Sequence, residues 1–350
     1  MYNPVPMSKT HHVPGSFCWF ELATTDQAAA KTFYSAIFGW RPDDSPMAPG
    51  ETYTIFKLDG LDAAAGYTMR ADQRATGMPP NWLIYILVKS ADETAARAKQ
   101  LGGTVIVEPL DVMDHGRMCV IQDPTGAMFS AWQPVKHVGT GITAVNGTAV
   151  WADLSTTDQV RAGKFYSDLF GWKMVEGESM KPAAPGSYYH IVNGTEMIGG
   201  VPPGEYRAPG APSHWLIYFQ VGDCDGTVTQ VKSLGGRVLV PTQTMEGVRK
   251  YAALTDPQGA NFAIVQSLAA QQAKRARIAQ AVAKGQAAPA RQAAPARKAT
   301  PARKATPATR KAKPATRRAG AKRAAKAKPA RRAGRARKTR PARRAGKAKK

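Results

Sequence analysis

The amino-acid sequence predicts an α+β protein made of two similar domains followed by a basic tail. Residues 19–26 return as residues 151–158, and each copy is a short apolar strand that ends at an Asp suited to cap the next helix. Within each copy, helical segments alternate with several short strands, a pattern typical of helices on one side of mostly antiparallel sheets. The third observation is an uneven distribution of charge along the 350 residues.

The charge separates the chain into two physically different parts. All 25 acidic residues precede residue 271, whereas the 49 Lys and Arg residues divide as 20 before that position and 29 after it. The first part also has the aromatic and branched residues needed for hydrophobic cores. The tail has no aromatic residue and few large apolar ones, so burial cannot offset the entropy of ordering it.

The amino terminus and the cysteines indicate a cytoplasmic protein. Residues 1–14 are expected to form a flexible arm, because Pro, His and polar residues stand where a signal peptide needs an apolar run. No segment reaches membrane-spanning length. Three cysteines without metal-ligand spacing predict buried thiols and no disulfide framework; they are Cys18, Cys119 and Cys224.

Domain 1 is assigned to residues 15–133 and contains two similar modules. The first module is predicted as a strand at 17–23, a helix at 26–38 and strands near 53–58 and 63–69. After a Gly-Met-Pro-Pro turn, the second is predicted as a strand at 82–88, a helix at 91–101 and strands near 104–107, 117–121 and 127–132.

Domain 2 is assigned to residues 147–267 and repeats domain 1 at an offset of 132 to 133 residues, after a linker at 134–146. Four motifs recur in the same order: Phe-Gly-Trp after the first helix, Trp-Leu-Ile-Tyr in a strand, Leu-Gly-Gly after the second helix, and Asp-Pro-x-Gly before the last strand. They begin at Phe38, Trp82, Leu101 and Asp123 in domain 1, and at Phe170, Trp215, Leu234 and Asp256 in domain 2.

This ordered set of motifs, present twice, resembles the vicinal oxygen chelate (VOC) superfamily of glyoxalases, bleomycin-resistance proteins and ring-cleaving dioxygenases. The similarity covers roughly residues 15–267 and is greatest to the tandem, glyoxalase-related subgroup. It implies that each domain is a pair of βαβββ modules whose strands curl into a half-barrel open to solvent. We call these half-barrels cup 1 in domain 1 and cup 2 in domain 2.

The resemblance also implies where metal-dependent members would bind a divalent ion, and this chain departs from their pattern. Trp, Leu, Ser and Ala stand at positions where those enzymes carry His or Glu: Trp19, Leu83 and Ser130 in domain 1, and Trp151, Leu216 and Ala263 in domain 2. Indole and alkyl groups do not coordinate divalent metals. The sequence therefore predicts cups that bind neither a metal nor a cofactor.

Strand alternation predicts which side chains share each cup, because residues two apart point to the same face of a sheet. The predicted lining of cup 1 is Trp19, Glu21, Tyr85, Met128, Ser130 and Trp132, and that of cup 2 is Trp151, Asp153, Tyr218 and Asn261. Aromatic walls with one carboxylate and one phenol are typical of a small-molecule site. Alternatively, the same rings simply fill a collapsed half-barrel.

Glu21 and Asp153 are the candidate catalytic residues. An inward carboxylate is costly to bury without a role, and one with a raised pKa could act as a general base next to a carbonyl. Alternatively, Arg117 and Lys250 hold these carboxylates in ion pairs. His190 and His214, which occur only in domain 2, either form an irregular metal site with Asp153 or are structural.

The tail, residues 268–350, is predicted to be disordered, because frequent prolines prevent a long helix and its positive charges repel one another. It resembles the carboxyl-terminal tails of linker histones and of bacterial histone-like proteins. Such a chain is expected to bind DNA or another polyanion by releasing counterions, which would associate the protein with the nucleoid. The basic pairs predicted to contact phosphates are Arg297, Lys298, Arg303, Lys304, Arg317, Arg318, Arg331, Arg332, Arg343 and Arg344. An anionic membrane surface or a solubilising extension are the alternatives.

Three functions remain open at this point. The protein binds a small organic ligand in metal-free cups and is tethered to nucleic acid by its tail, or it is a metal-independent lyase or isomerase that uses a cup carboxylate, or it is a histone-like architectural protein. The expected partners are a small molecule and a polyanion, with a homodimer among the allowed oligomeric states.

Overall fold

The computed structural model describes residues 12–48, 50–176, 181–182, 186–245 and 248–268, and these residues belong to one unit. The predicted arm is described only from residue 12, and the predicted tail only at residue 268. The nucleic-acid-contacting residues predicted for the tail therefore lie outside the described residues. No helix within the described ranges is long and apolar enough to cross a membrane.

Domain 1 forms one mixed sheet with helices on one face. Its elements are β1 (Phe17–Thr24), α1 (Gln27–Phe38), β2 (Arg41–Ala48), β3 (Glu51–Leu58), β4 (Leu61–Thr68), α2 (Ala71–Ala75), β5 (Asn81–Leu87), α3 (Ala91–Gln100), β6 (Thr104–Val112), β7 (Gly116–Gln122) and β8 (Met128–Pro134). The strand order is β2-β3-β4-β1-β5-β8-β7-β6. Strands β1 and β5 lie side by side and antiparallel, so the two βαβββ modules meet along them.

Domain 2 repeats this arrangement. Its elements are β9 (Ala149–Ser155), α4 (Gln159–Phe170), β10 (Lys173–Glu176), β11 (Lys181–Pro182), β12 (Tyr189–Asn193), β13 (Glu196–Val201), a 3₁₀ turn (Gly204–Tyr206), β14 (His214–Gln220), α5 (Cys224–Ser233), β15 (Arg237–Met245), β16 (Arg249–Thr255) and β17 (Asn261–Ser267). The order β11-β10-β12-β13-β9-β14-β17-β16-β15 again places the two opening strands together. The predicted fold of two tandem α+β domains is confirmed.

The helix boundaries follow from the capping residues predicted in the sequence. The Asp26 side chain accepts a hydrogen bond from the backbone N–H of Ala29, and Gly39 ends α1 in the left-handed conformation at φ 73°. Asp158 and Gly171 do the same for α4, with φ 75° at the glycine. Equivalent caps therefore define equivalent helices in the two domains.

Strand β2 was not predicted. It contains Pro42 and Pro46 together with several polar residues, a composition that argues against a strand. The structure places β2 at the outer edge of the sheet, paired only with β3. Proline is tolerated at an edge, because one side of such a strand needs no ladder hydrogen bonds.

One hydrophobic core runs through both domains. The Trp40 indole N–H of domain 1 donates to the Gly147 carbonyl at the start of domain 2, at 2.7 Å. In the same way, the Trp172 indole N–H of domain 2 donates to the Gly15 carbonyl of domain 1 at 2.9 Å. Each Phe-Gly-Trp motif thus ends a helix in one domain and contacts the other. The three cysteines are buried and unpaired, as predicted.

Candidate functional site

The central strand β1 separates the core from cup 1. Phe20 and Leu22 point to the helix-covered face and join the main core. Trp19 points to the opposite face, where it packs with Tyr85 and Trp132. The structure thus brings three of the residues predicted for cup 1 into one cluster.

Glu21 lies in the same cup and is held by phenol groups. Its two carboxylate oxygens accept hydrogen bonds from the Tyr53 hydroxyl at 2.7 Å and from the Tyr85 hydroxyl at 2.8 Å. The Trp19 indole N–H donates to the Tyr53 oxygen at 3.1 Å. Burial raises the pKa of Glu21, and the two phenol hydrogen bonds act in the opposite direction.

Cup 2 holds Asp153 in a matching arrangement. One carboxylate oxygen accepts from the Trp151 indole at 2.8 Å and from the Tyr188 hydroxyl at 2.5 Å, while the other accepts from the Tyr218 hydroxyl at 2.9 Å. Burial raises the pKa of Asp153, and these hydrogen bonds oppose the increase. In each cup, a carboxylate, two phenols and an indole N–H thus form one hydrogen-bonded group, which can bind or position a polar atom of a ligand.

Sequence reasoning missed the second phenol of each cup, which is Tyr53 in β3 and Tyr188 just before β12. Neither residue is on a strand that carries the repeated motifs. Tyr188 also depends on close packing, because a Cβ atom at Gly200 would overlap its ring. The one signal available in the sequence was the spacing of Tyr53 and Ile55, which lie two residues apart in β3 and therefore point to the same face of the sheet.

The remaining predicted residues lie in different environments. Ser130 is fully buried and its hydroxyl donates to the Cys119 carbonyl at 3.1 Å, so it is engaged by the backbone. Met128 is half-buried at the start of β8. Asn261 is exposed, and its side-chain oxygen accepts from the Thr255 hydroxyl at 2.9 Å. None of these three has a hydrogen bond to a cup carboxylate among the described residues.

The alternative of ion pairs in the cups is wrong. Arg117 pairs with Asp92 at 2.7 Å and with Asp111 at 2.9 Å, both on the helix-facing side of the sheet or its edge. Lys250 pairs with Asp225 of α5 at 2.6 Å. Phenol and indole donors, and not these two cations, therefore satisfy the cup carboxylates.

The donors in the cups do not fit a divalent metal. Across the described ranges, no three His, Cys, Asp or Glu side chains are grouped so that they could hold one. The His214 ring lies 2.9 Å from the Pro212 carbonyl, and the His190 ring packs beside Trp151 and Tyr188. The irregular site suggested for Asp153, His190 and His214 is not formed by these residues.

Comparison with known proteins places the chain in a family. Residues 16–130 and 148–264 each match the model of the Glyoxalase/Bleomycin resistance protein/Dioxygenase superfamily. The "Putative glyoxylase CFP32" of Mycobacterium tuberculosis is 36% identical over 261 residues, which cover 74% of this chain and 97% of that protein. The "Anthracycline biosynthesis protein DauV" of Streptomyces sp. (strain C5) is 35% identical over 276 residues, with 73% and 95% covered.

A solved structure shares the fold. The Mn(II)-bound glyoxalase from Novosphingobium aromaticivorans matches with a TM-score of 0.51 at 15% identity, covering 73% of this chain and 83% of its own. At that identity the match concerns the fold alone. The two family matches and the curated relatives together show that the chain belongs to the glyoxalase/bleomycin resistance protein/dioxygenase superfamily, with two domains in tandem.

Proposed function

We propose that the folded part of this protein binds a small organic molecule in a cup without a metal, and that its basic tail tethers it to nucleic acid. The observation that carries the first half is the carboxylate held by two phenol hydroxyls in each domain, with an indole N–H bound to a phenol oxygen in domain 1 and to the carboxylate in domain 2. Aromatic walls around a few fixed polar groups suit a small organic ligand. The names of the relatives, a glyoxylase and a protein of anthracycline biosynthesis, support a small-molecule role.

The second candidate is catalysis by the same groups without a metal. Burial raises the pKa of both Glu21 and Asp153, which brings a carboxylate closer to the range where it exchanges protons near neutral pH. Among the described residues, one oxygen of Asp153 accepts a hydrogen bond only from Tyr218 and so retains a lone pair for a substrate proton. Such a base would serve a lyase or isomerase reaction next to a carbonyl.

Ligand binding can be tested by screening small aromatic and carbonyl compounds for saturable quenching of tryptophan fluorescence. We expect at least one compound to bind, and its affinity to fall at least about tenfold in Glu21→Gln or Asp153→Asn, since the ligand meets the carboxylate. Asp92→Asn removes an exposed carboxylate outside the cups and is the matched control. A complete screen without a binder, or a binder unaffected by both cup variants, would contradict the proposal. If a compound is turned over and either cup variant loses this turnover, the result would favour the catalytic function.

Tethering by the tail predicts a large loss of DNA affinity on truncation. Because 29 Lys and Arg residues follow residue 270 without an acidic residue, full-length protein should bind duplex DNA of any sequence, more weakly as salt rises. A variant that ends at residue 268 is expected to lose at least about 100-fold in affinity in a gel-shift assay at moderate salt. A tail of the same composition in shuffled order should restore binding. Equal DNA retardation by the truncated and full-length proteins would disprove the assignment.

A further inference from the structure

The two cups differ in how far their aromatic rings are exposed, although two phenols hold the carboxylate in each. In cup 1, Trp19 and Tyr85 are each 4% exposed and Trp132 is 5% exposed. Their counterparts Trp151 and Tyr218 in cup 2 are half-buried. The Trp151 and Tyr218 rings of cup 2 are therefore more exposed than the equivalent Trp19 and Tyr85 rings of cup 1.

Cup 1 is filled by residues of its own chain. The Trp132 indole N–H donates to the His137 carbonyl at 2.8 Å, and the His137 ring packs edge-on against Trp19 with centroids 4.5 Å apart. Trp132 fits only because position 116 is glycine, since a Cβ there would lie 2.5 Å from the Trp132 ring. The collapsed arrangement considered as an alternative thus describes cup 1.

Cup 2 carries different residues at the same two positions. Gly116 is replaced by Arg249 and Trp132 by Val265, as the offset of 133 residues and the equivalent strand pairings show. With valine at position 265, cup 2 lacks the indole that fills cup 1. The long cationic side chain of Arg249 occupies part of the space beside Val265.

The Arg249 guanidinium faces into cup 2. Its carbon lies 6.0 Å from the centroid of the Trp151 ring. Burial raises the pKa of Asp153 and lowers that of His190; the positive charge of Arg249 opposes the first shift and adds to the second, so it acts on groups inside the cup. The neighbouring Lys250 points to the other face and pairs with Asp225, as strand alternation requires. Among the described carboxylates, none lies within ion-pair distance of Arg249.

Because Arg249 and Val265 replace the glycine and tryptophan that close cup 1, we infer that cup 2, and not cup 1, is the ligand site. We further infer that Arg249 selects a small aromatic carboxylate. The inference rests on the proposed binding function and narrows it to one cup and one chemical class. A guanidinium offers two parallel N–H groups that match the two oxygens of a carboxylate. The half-buried Trp151 ring, over which Arg249 lies, offers aromatic surface beside the guanidinium. Arg249 also offsets the charge of Asp153, which would otherwise repel an anion.

Isothermal titration of the full-length protein with benzoate and with its neutral isostere benzamide tests this inference. We expect one benzoate site per chain. Arg249→Gln should weaken benzoate at least about tenfold while changing benzamide less than about threefold, because the ligand charge is what the guanidinium recognises. Lys250→Gln removes the same charge one residue away and should leave benzoate binding unchanged. Glu21→Gln is measured as well, and a loss of benzoate binding in this variant would place the ligand in cup 1.

A second variant tests whether the residues of cup 2 can turn cup 1 into a ligand site. Gly116→Arg combined with Trp132→Val transfers the pair of cup 2 to cup 1 and should raise the stoichiometry to two benzoates per chain. Thermal unfolding shows whether this variant folds, and if it does not, Arg249→Gln still decides. Three results would overturn the inference and leave the broader proposal standing. Benzoate binding could survive Arg249→Gln, it could require Glu21, or it could be absent while other compounds from the fluorescence screen bind. If no compound binds in either experiment, both fail.

Discussion

Replacement of Trp172 by alanine is expected to lower the free energy of unfolding by about 4 kcal/mol. The ring is 2% exposed and is stacked on Tyr166 with centroids 5.3 Å apart. It also meets Phe17 of domain 1 edge-on at 5.7 Å and donates its N–H to the Gly15 carbonyl. Truncation therefore leaves a large cavity at the place where the two domains meet, together with a buried carbonyl that has lost its donor.

Urea denaturation followed by circular dichroism measures this loss. Val160→Ala, at an exposed position of α4, is the control and should change stability by less than about 0.5 kcal/mol. Trp40→Ala should resemble Trp172→Ala, because Trp40 makes the reciprocal contact with Gly147. Since one core serves both domains, we expect a single transition. A loss below about 1.5 kcal/mol, or two separate transitions in the unmodified protein, would show that the domains are stabilised independently.

Asp256→Ala is expected to destabilise the protein by about 3 kcal/mol. This side chain is 1% exposed and accepts hydrogen bonds from the backbone N–H groups of Gln258, Gly259 and Ala260, at 3.0, 2.8 and 2.8 Å. Its second oxygen accepts from the Tyr34 hydroxyl of domain 1 at 2.9 Å. Without the carboxylate, the turn that begins β17 and the contact between domains are lost together.

A double-mutant cycle with Tyr34→Phe separates these two contributions. We expect a coupling energy of about 1 to 2 kcal/mol between positions 34 and 256, measured by denaturation, because the two groups form one buried hydrogen bond. Asp123→Ala is the matched variant, since Asp123 organises the equivalent turn through Thr125 and Ala127. Additive effects of the Tyr34 and Asp256 substitutions would mean that Asp256 stabilises only its own turn.

Local features of this protein could be predicted from the sequence because they depend on neighbours along the chain. Asp26 and Gly39 limit α1, and Asp158 and Gly171 limit α4, because capping involves only the residues of one helix end. The same holds for the alternation that separates Trp19 from Phe20 on β1. Strand β2 was missed because its prolines are acceptable only at a sheet edge, and edge position is a property of the whole sheet.

The candidate site could be predicted only in part. Strand alternation placed Glu21 and Asp153 beside aromatic rings, but their second phenols lie in segments without repeated motifs, Tyr53 in β3 and Tyr188 just before β12. Whether a side chain two strands away reaches a carboxylate depends on register and sheet curvature, which the sequence does not specify. The interpretation of Arg117 and Lys250 as partners of the carboxylates was wrong for the same reason, since both face the helices.

The sequence by itself determined the two-fold repeat and the helix ends, and it places Trp, Leu, Ser and Ala where the family resemblance predicts metal ligands. The tertiary structure alone decided that Asp256 binds Tyr34 across the domains, that Trp132 fills cup 1 in the space left by Gly116, and that the Arg249 guanidinium lies over the Trp151 ring of cup 2. The repeat and the caps follow from residue order and short-range hydrogen bonds. The contacts between distant segments follow from the packing of strands and helices, which brings together residues more than 200 positions apart.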